Sequence, residues 1–164
     1  MRAGGRLRSI DMCNHRISAL VLAAALAAGS LAVRQAAAKN SCGPGDFVDY
    51  RGQALVTIAN NDPGNPYRYR PRCALISAGT TVRFVATPGF GSHPLYGGAV
   101  ENGTPTMDPA SPIGSINGGT SADRVLPETG EFPFFCDYHY DMGMQGSILV
   151  VPETIFVDGF DTAP

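Results

Sequence analysis

Phe132-Pro-Phe-Phe-Cys136-Asp-Tyr-His139-Tyr-Asp-Met142-Gly-Met144-Gln-Gly146 holds more of this chain's chemistry than any other stretch of its 164 residues. Alternation with period two places Phe132, Phe134 and Cys136 on one face of a strand and delivers the cysteine to its end. His139 follows closely, then Met142 and Met144, and Gly146 opens a second apolar run from Ser147 to Val151. A thiolate, an imidazole and a thioether on one short connection between two strands suit a soft transition metal, copper above all. The loop lacks a second imidazole, and downstream of residue 38 the sequence has one other histidine, His93.

Residue 38 matters because of what precedes it. Arg2, Arg6, Arg8 and Arg16 lead into an apolar run from Ile17 to Val33, and Ala36-Ala-Ala38 stands before Lys39. A basic start, an apolar middle and a small-residue cleavage site read as a secretory signal peptide, residues 1–38. Met12 offers a second start that leaves a shorter leader of the same kind. The apolar run is diluted by alanine and short for a stable span, which sets an uncleaved membrane anchor behind cleavage. No cysteine directly follows the cleavage region, so a lipid anchor is not expected there. Cleavage removes Cys13, His15, five of twelve basic residues and one of fourteen acidic ones, leaving seven against thirteen and a net charge of −6. The expected product is periplasmic or secreted, acidic, and built on one modest core. Its charge argues against nucleic acid as a partner.

Three cysteines remain after residue 38, and in an oxidising compartment two usually pair. Cys42 and Cys73 have no metal-binding neighbours, whereas Cys136 sits among His139, Met142 and Met144. The expectation is therefore a Cys42–Cys73 disulfide and a Cys136 held as a thiolate by a metal. An inert buried thiol is the plainer alternative. An exported thiol beside a histidine and two methionines, without a metal, would be open to oxidation, which favours the metal.

Taken in order, the chain after residue 38 reads as all-β. Phe47 to Tyr50, Ala54 to Ile58, Tyr69 to Ala78 and Thr81 to Ala86 are strand-like, with the turn cluster Asn60 to Pro66 between the second and third. Val82 and Phe84 alternate with Arg83, so one face of that segment is buried. From Pro88 to Thr120 glycine, proline, serine and asparagine dominate without a sustained period, and the expectation is a long functional loop carrying His93. Asn102-Gly-Thr104 inside it matches a glycosylation sequon, in a composition where such matches arise by accident. Asp123 to Leu126 is a further short strand. Many short strands with turn signals imply a sandwich or barrel.

Gly130-Glu-Phe-Pro-Phe-Phe-Cys136, the Cys-x2-His step to His139, the His-x4-Met step to Met144 and the β-branched strand after Gly146 resemble the plastocyanin and pseudoazurin group of small blue copper proteins, the cupredoxins. The Met142-Gly-Met144 run looks most like the pseudoazurin version. As architecture the resemblance spans residues 47–151, and its specific motifs lie in 130–151. It implies a Greek-key β-sandwich or barrel, a cupredoxin domain over 39–151 and an acidic, aromatic tail over 152–164 outside that fold. It implies one copper per chain, held by His93, Cys136 and His139, with Met144 as a weak axial ligand. It further implies an electron carrier rather than an enzyme, monomeric, serving donor and acceptor redox proteins. A copper store that never cycles, or a copper-free sandwich module, are the alternatives.

Tyr138 and Pro94 depart from the family's pattern, whose relatives often carry proline before the second histidine and commonly asparagine after the first. The resemblance also implies that the residue after His93 gives its backbone N–H to the cysteine sulfur. Proline has none to give, so a more electron-rich thiolate and a lower reduction potential are expected. Phe135, Glu131 and Asp137 fall opposite Cys136, where the family has an acidic docking surface.

Overall fold

The computed structural model describes residues 39–153. The expected signal peptide and the tail from residue 154 onward lie outside the described residues. In chain order the strands are β1 (Val48–Asp49), β2 (Leu55–Ala59), β3 (Cys73–Ser77), β4 (Thr81–Val85), β5 (Leu95–Glu101), β6 (Thr104–Met107), β7 (Ser115–Ile116), β8 (Ser121–Val125), β9 (Gly130–Cys136) and β10 (Gln145–Val151). One 3₁₀ turn, Tyr140–Met142, separates the last two. Among the described residues no helix is long and apolar enough to cross a membrane.

The strands form two sheets, as the all-β reading requires. One has the order β1-β3-β10-β9-β5-β6, with β7 also paired to β5; the other is β2-β4-β8. The chain passes back and forth between them, so β1–β3, β3–β10 and β2–β4 are parallel and β9 is antiparallel to both its neighbours. Val56, Ile58, Val82 and Phe84 from the smaller sheet meet Ala74, Ile76, Phe134, Ile148 and Val150 from the larger one in a single core. In β4 the alternation is plain: Val82 and Phe84 are fully buried while Arg83 between them is exposed. Truncating a side chain such as Phe84 to alanine should cost about 3–5 kcal/mol. On the outer face Arg83 forks onto the carboxylate of Asp123, its partner in register, at 2.7 and 2.8 Å.

The N-terminal segment is tied to this frame. Cys42 and Cys73 form a disulfide with their Cα atoms 5.7 Å apart, as expected from the sequence. Closing a loop of 31 residues' separation stabilises the fold by about 3–4 kcal/mol in the chain-entropy picture.

The stretch from Pro88 to Thr120 is not the long loop expected of it. It contains β5, β6 and β7, and β5 pairs with β9 inside the larger sheet. Asn102 and Gly103 take left-handed φ values of +51° and +77° between the paired residues Glu101 and Thr104, which makes them the two-residue turn of a hairpin. Gly97 and Gly98 belong to the strand because nothing larger fits. A Cβ on Gly97 would collide with the Ser111 side chain, and one on Gly98 with the carbonyl oxygen of Thr106. Pro105 sits in β6, the edge strand, where a missing donor does no harm.

Candidate metal centre

Three ligand-type side chains converge at one end of the sandwich. His93, Cys136 and His139 offer donor atoms that all lie within 4.8 Å of one another. The two histidine Nδ1 atoms are 3.1 Å apart, and Nδ1 of His139 is 3.5 Å from Cys136 Sγ. Cys136 and His93 are buried, and His139 is half-buried.

His93 reaches the site on the connection from β4 to β5. Phe90, fully buried, anchors that connection, and its N–H donates to Gly119 O at 2.9 Å. The backbone N–H of His93 donates to Gly89 O at 3.1 Å. Asn60 grips Thr87 on both sides: its Nδ2 donates to Thr87 O at 2.8 Å and its Oδ1 accepts from Thr87 N–H at 2.7 Å. Burial and the neighbouring His139 lower the His93 pKa, while a hydrogen bond to the Thr87 backbone pulls the other way. Asn60, Thr87 and His93 thus form a chain from a turn to a ligand, the type of outer support that fixes an imidazole's orientation.

The other residues come from the β9–β10 connection, a loop that holds itself. Cys136 N–H donates to Met144 O at 2.8 Å, and the N–H groups of Met142 and Met144 both donate to His139 O at 3.1 Å. Gly143, at φ +89°, closes the 3₁₀ turn in a left-handed conformation that favours glycine. Met144 emerges fully buried whereas Met142 is 52% exposed, which separates the two methionines that the sequence leaves adjacent. Gly146 must be glycine, since a Cβ there would strike Arg72 O and the Phe134 ring. Asp137 N–H donates to Pro94 O at 2.9 Å and so ties one ligand loop to the other.

Burial is the largest influence on the Cys136 thiol and pushes its pKa up. The backbone N–H groups of Tyr138 and His139 work against that by favouring the thiolate, and the Asp137 carboxylate adds a smaller upward push. The loop's own backbone thus favours the charged sulfur without any N–H from Pro94.

Two aromatic side chains beside the site carry no signal of that role in the sequence. Tyr67 stacks on His139 with ring centroids 4.6 Å apart and planes 30° from parallel, and it meets His93 edge-on at 6.2 Å. Tyr69 is buried against Phe134, its hydroxyl unpaired, with its pKa raised by burial and by the charge of Cys136. Both lie beyond the Asn60–Pro66 turn cluster, where an aromatic pair carries no periodic signal. Phe135 does lie opposite Cys136, but it is buried beneath Tyr96 and Tyr140 and is no surface contact.

No family model and no curated protein matches the chain. Among solved structures it is similar to plastocyanin from Dryopteris crassirhizoma, at 19% identity and TM-score 0.41, over 58% of this chain and all of that one. Pseudoazurin from Methylobacterium extorquens is similar at 21% identity and TM-score 0.41, over 58% of this chain and 74% of that one. A copper-containing nitrite reductase from Thermus scotoductus is similar at 20% identity and TM-score 0.44, over 68% of this chain and 29% of that one. In its own strands the chain is a two-sheet all-β sandwich whose loops bring His93 beside Cys136 and His139.

Proposed function

We propose that this protein holds one copper ion through His93, Cys136, His139 and Met144 and carries single electrons between redox proteins. The observation that carries the reading is the convergence of two imidazole nitrogens and one thiol sulfur within 4.8 Å at the end of a rigid sandwich. Two Nδ1 lone pairs facing each other at 3.1 Å beside a sulfur repel unless a cation or a shared proton lies between them. One soft sulfur with two imidazoles fits copper better than a hard cation, which would select carboxylates. Copper, when bound, supplies a one-electron couple whose two oxidation states both accept such a mixed donor set.

The chain's residues do the rest. The Asn60–Thr87 pair and the Phe90 anchor orient His93, and the hydrogen bonds within residues 136–144 hold Cys136, His139 and Met144. Donors fixed in this way reorganise little when the charge at the site changes. With Met144 as a fourth ligand, the site would have no open position for a substrate, which favours carriage over catalysis. Half-buried His139, flanked by exposed Tyr138 and Met142, is the side from which an electron would enter or leave. The acidic balance after residue 38 favours a partner with a basic surface. Export, through a leader over residues 1–38, and a monomeric state belong to the same reading.

Titrating the purified processed protein with Cu(II) tests it. An intense visible band that saturates at one copper per chain, followed by a reversible one-electron wave in voltammetry, is the expected result. Saturation without an intense band would end the blue-copper reading; a band without reversible voltammetry would turn a carrier into a store.

A further inference from the structure

Asn40 is a buried amide at a gap in the larger sheet. It is 3% exposed and takes φ +48°, a left-handed conformation that asparagine tolerates better than most residues. Its Nδ2 donates toward the carbonyls of Phe134 at 2.8 Å, Gly146 at 3.1 Å and Gly98 at 3.2 Å, and its Oδ1 accepts from Val100 N–H at 2.7 Å. One side chain therefore bonds β9, β10 and β5 together.

The gap has a covalent cause. β5 and β9 pair at Leu95↔Cys136, Tyr96↔Phe135 and Gly97↔Phe134, and there the ladder stops. The next residue of β9 is Pro133, which has no N–H to donate. Those three pairs are all the direct pairing between the strand that follows His93 and the strand that ends in Cys136. Gly146, the third carbonyl that Asn40 reaches, lies two residues beyond Met144.

We propose that Asn40 is a positioning residue for the metal centre. Its amide replaces the rung that Pro133 cannot make, fixes β5 against β9, and so fixes His93 against Cys136. The Cys42–Cys73 disulfide holds the amide in place from two residues away. The site demands a neutral amide. A carboxylate would face three carbonyl oxygens, and an apolar side chain would leave the Val100 N–H and those carbonyls without partners in the interior. This inference rests on the copper reading above, and its test separates the two.

The variants are Asn40→Gly, which keeps the left-handed backbone and removes the amide, and Asn40→Asp, which keeps the shape and removes the donor. Ile58→Val, in the smaller sheet, serves as a control for general loss of stability. In the copper-free processed protein, hydrogen exchange at the Val100 amide should speed up about tenfold or more in Asn40→Gly. In the copper-loaded protein the same variant should keep one copper but shift its visible spectrum and reduction potential, while Ile58→Val shifts neither. Asn40→Asp keeps an acceptor for the Val100 N–H, so exchange there should speed up less than in Asn40→Gly. It should exceed Asn40→Gly in the spectral and potential shifts, because its carboxylate faces the three carbonyls; a space-filling role predicts the reverse order in those two readouts. If Asn40→Gly does not fold, the Cys42→Ser, Cys73→Ser double variant, which frees the tether and keeps the amide, should show the same spectral shift in smaller degree. Faster Val100 exchange with an unchanged spectrum would overturn the positioning role, and so would unchanged exchange. A wild-type protein with no visible band would sink the blue-copper reading instead, and the exchange result would still decide whether Asn40 is the missing rung.

Discussion

The loop from Cys136 to Gly146 and the segment from Pro88 to Thr120 both deliver ligand-type side chains to one place, yet they are held in opposite ways. The first is supported from within: Cys136 bonds Met144, and Met142 and Met144 both bond His139. The second is supported largely by contacts between residues far apart in sequence, within the segment and beyond it. Phe90 bonds Gly119, Gly97 bonds Gly114, Pro94 receives Asp137, and β5 pairs with β9. A loop with local support can lose its chemistry and keep the fold. A segment whose main supports join residues far apart in sequence should lose the fold first, and the chemistry with it.

Gly98→Val gives the sharpest contrast. Gly98 stands at φ +153° with the Thr106 carbonyl where a Cβ would go, so neither the backbone nor the neighbour can give way cheaply. The variant should lose at least about 3 kcal/mol, seen as a large fall in the thermal midpoint, and its copper with it. Gly118→Ala, a substitution into open space nearby, should stay within about 0.5 kcal/mol of wild type. Equal behaviour of the two would mean that the segment is a loop after all.

Cys136→Ser probes the other side of the contrast. The visible band should vanish completely. The copper-free variant should still fold, at a cost of about 1–3 kcal/mol for burying a hydroxyl without a designed partner. A retained band, or a variant that does not fold, would break the claim that this loop separates chemistry from fold.

The same difference in support explains what the sequence made legible. Cys136, His139 and Met144 lie close enough together for residue type and spacing to reveal them, and the Val82-Arg83-Phe84 alternation exposed β4 in the same way. Gly97 and Gly98 misled because the atoms that demand glycine, on Ser111 and Thr106, are supplied by other strands. One local signal is present: Asn102-Gly103 is a favoured two-residue hairpin turn as well as the start of a sequon. Tyr67 and Asn40 had no such signal. Their partners, His139 for one and Gly98, Phe134 and Gly146 for the other, are brought to them by the fold alone.

Within the loop, Met142 and Met144 test how finely local support discriminates. Met144 is wholly buried and bonded through its backbone to both Cys136 and His139, whereas Met142 is half in solvent on the 3₁₀ turn. Leucine conserves volume at either position, so stability should change by less than about 1.5 kcal/mol in both variants. Met144→Leu should nonetheless move the visible spectrum and the reduction potential clearly, and Met142→Leu should leave both in place. Reversed effects would make Met142 the axial ligand.

The smallest effect is expected where the two regions touch. The family resemblance predicts that Pro94, lacking an N–H, leaves the Cys136 sulfur short of a donor and the potential low. Other groups act on the sulfur here: the nearby backbone N–H groups of Tyr138 and His139 both favour the thiolate, and both come from the self-supported loop. Pro94 contributes its carbonyl instead, accepting from Asp137 N–H at 2.9 Å. Alanine at this position keeps that carbonyl and adds an N–H where the thiolate is already favoured by the Tyr138 and His139 N–H groups. Pro94→Ala should therefore raise the potential only slightly, by well under the roughly 59 mV that a tenfold change in a one-electron equilibrium represents. A rise larger than that would mean that the distant segment, not the local loop, sets the electron density on Cys136, because hydrogen bonding to the sulfur is what tunes such a site. A fall would mean that the stiffness of proline holds His93 in register, and the midpoint of thermal unfolding should then drop with it.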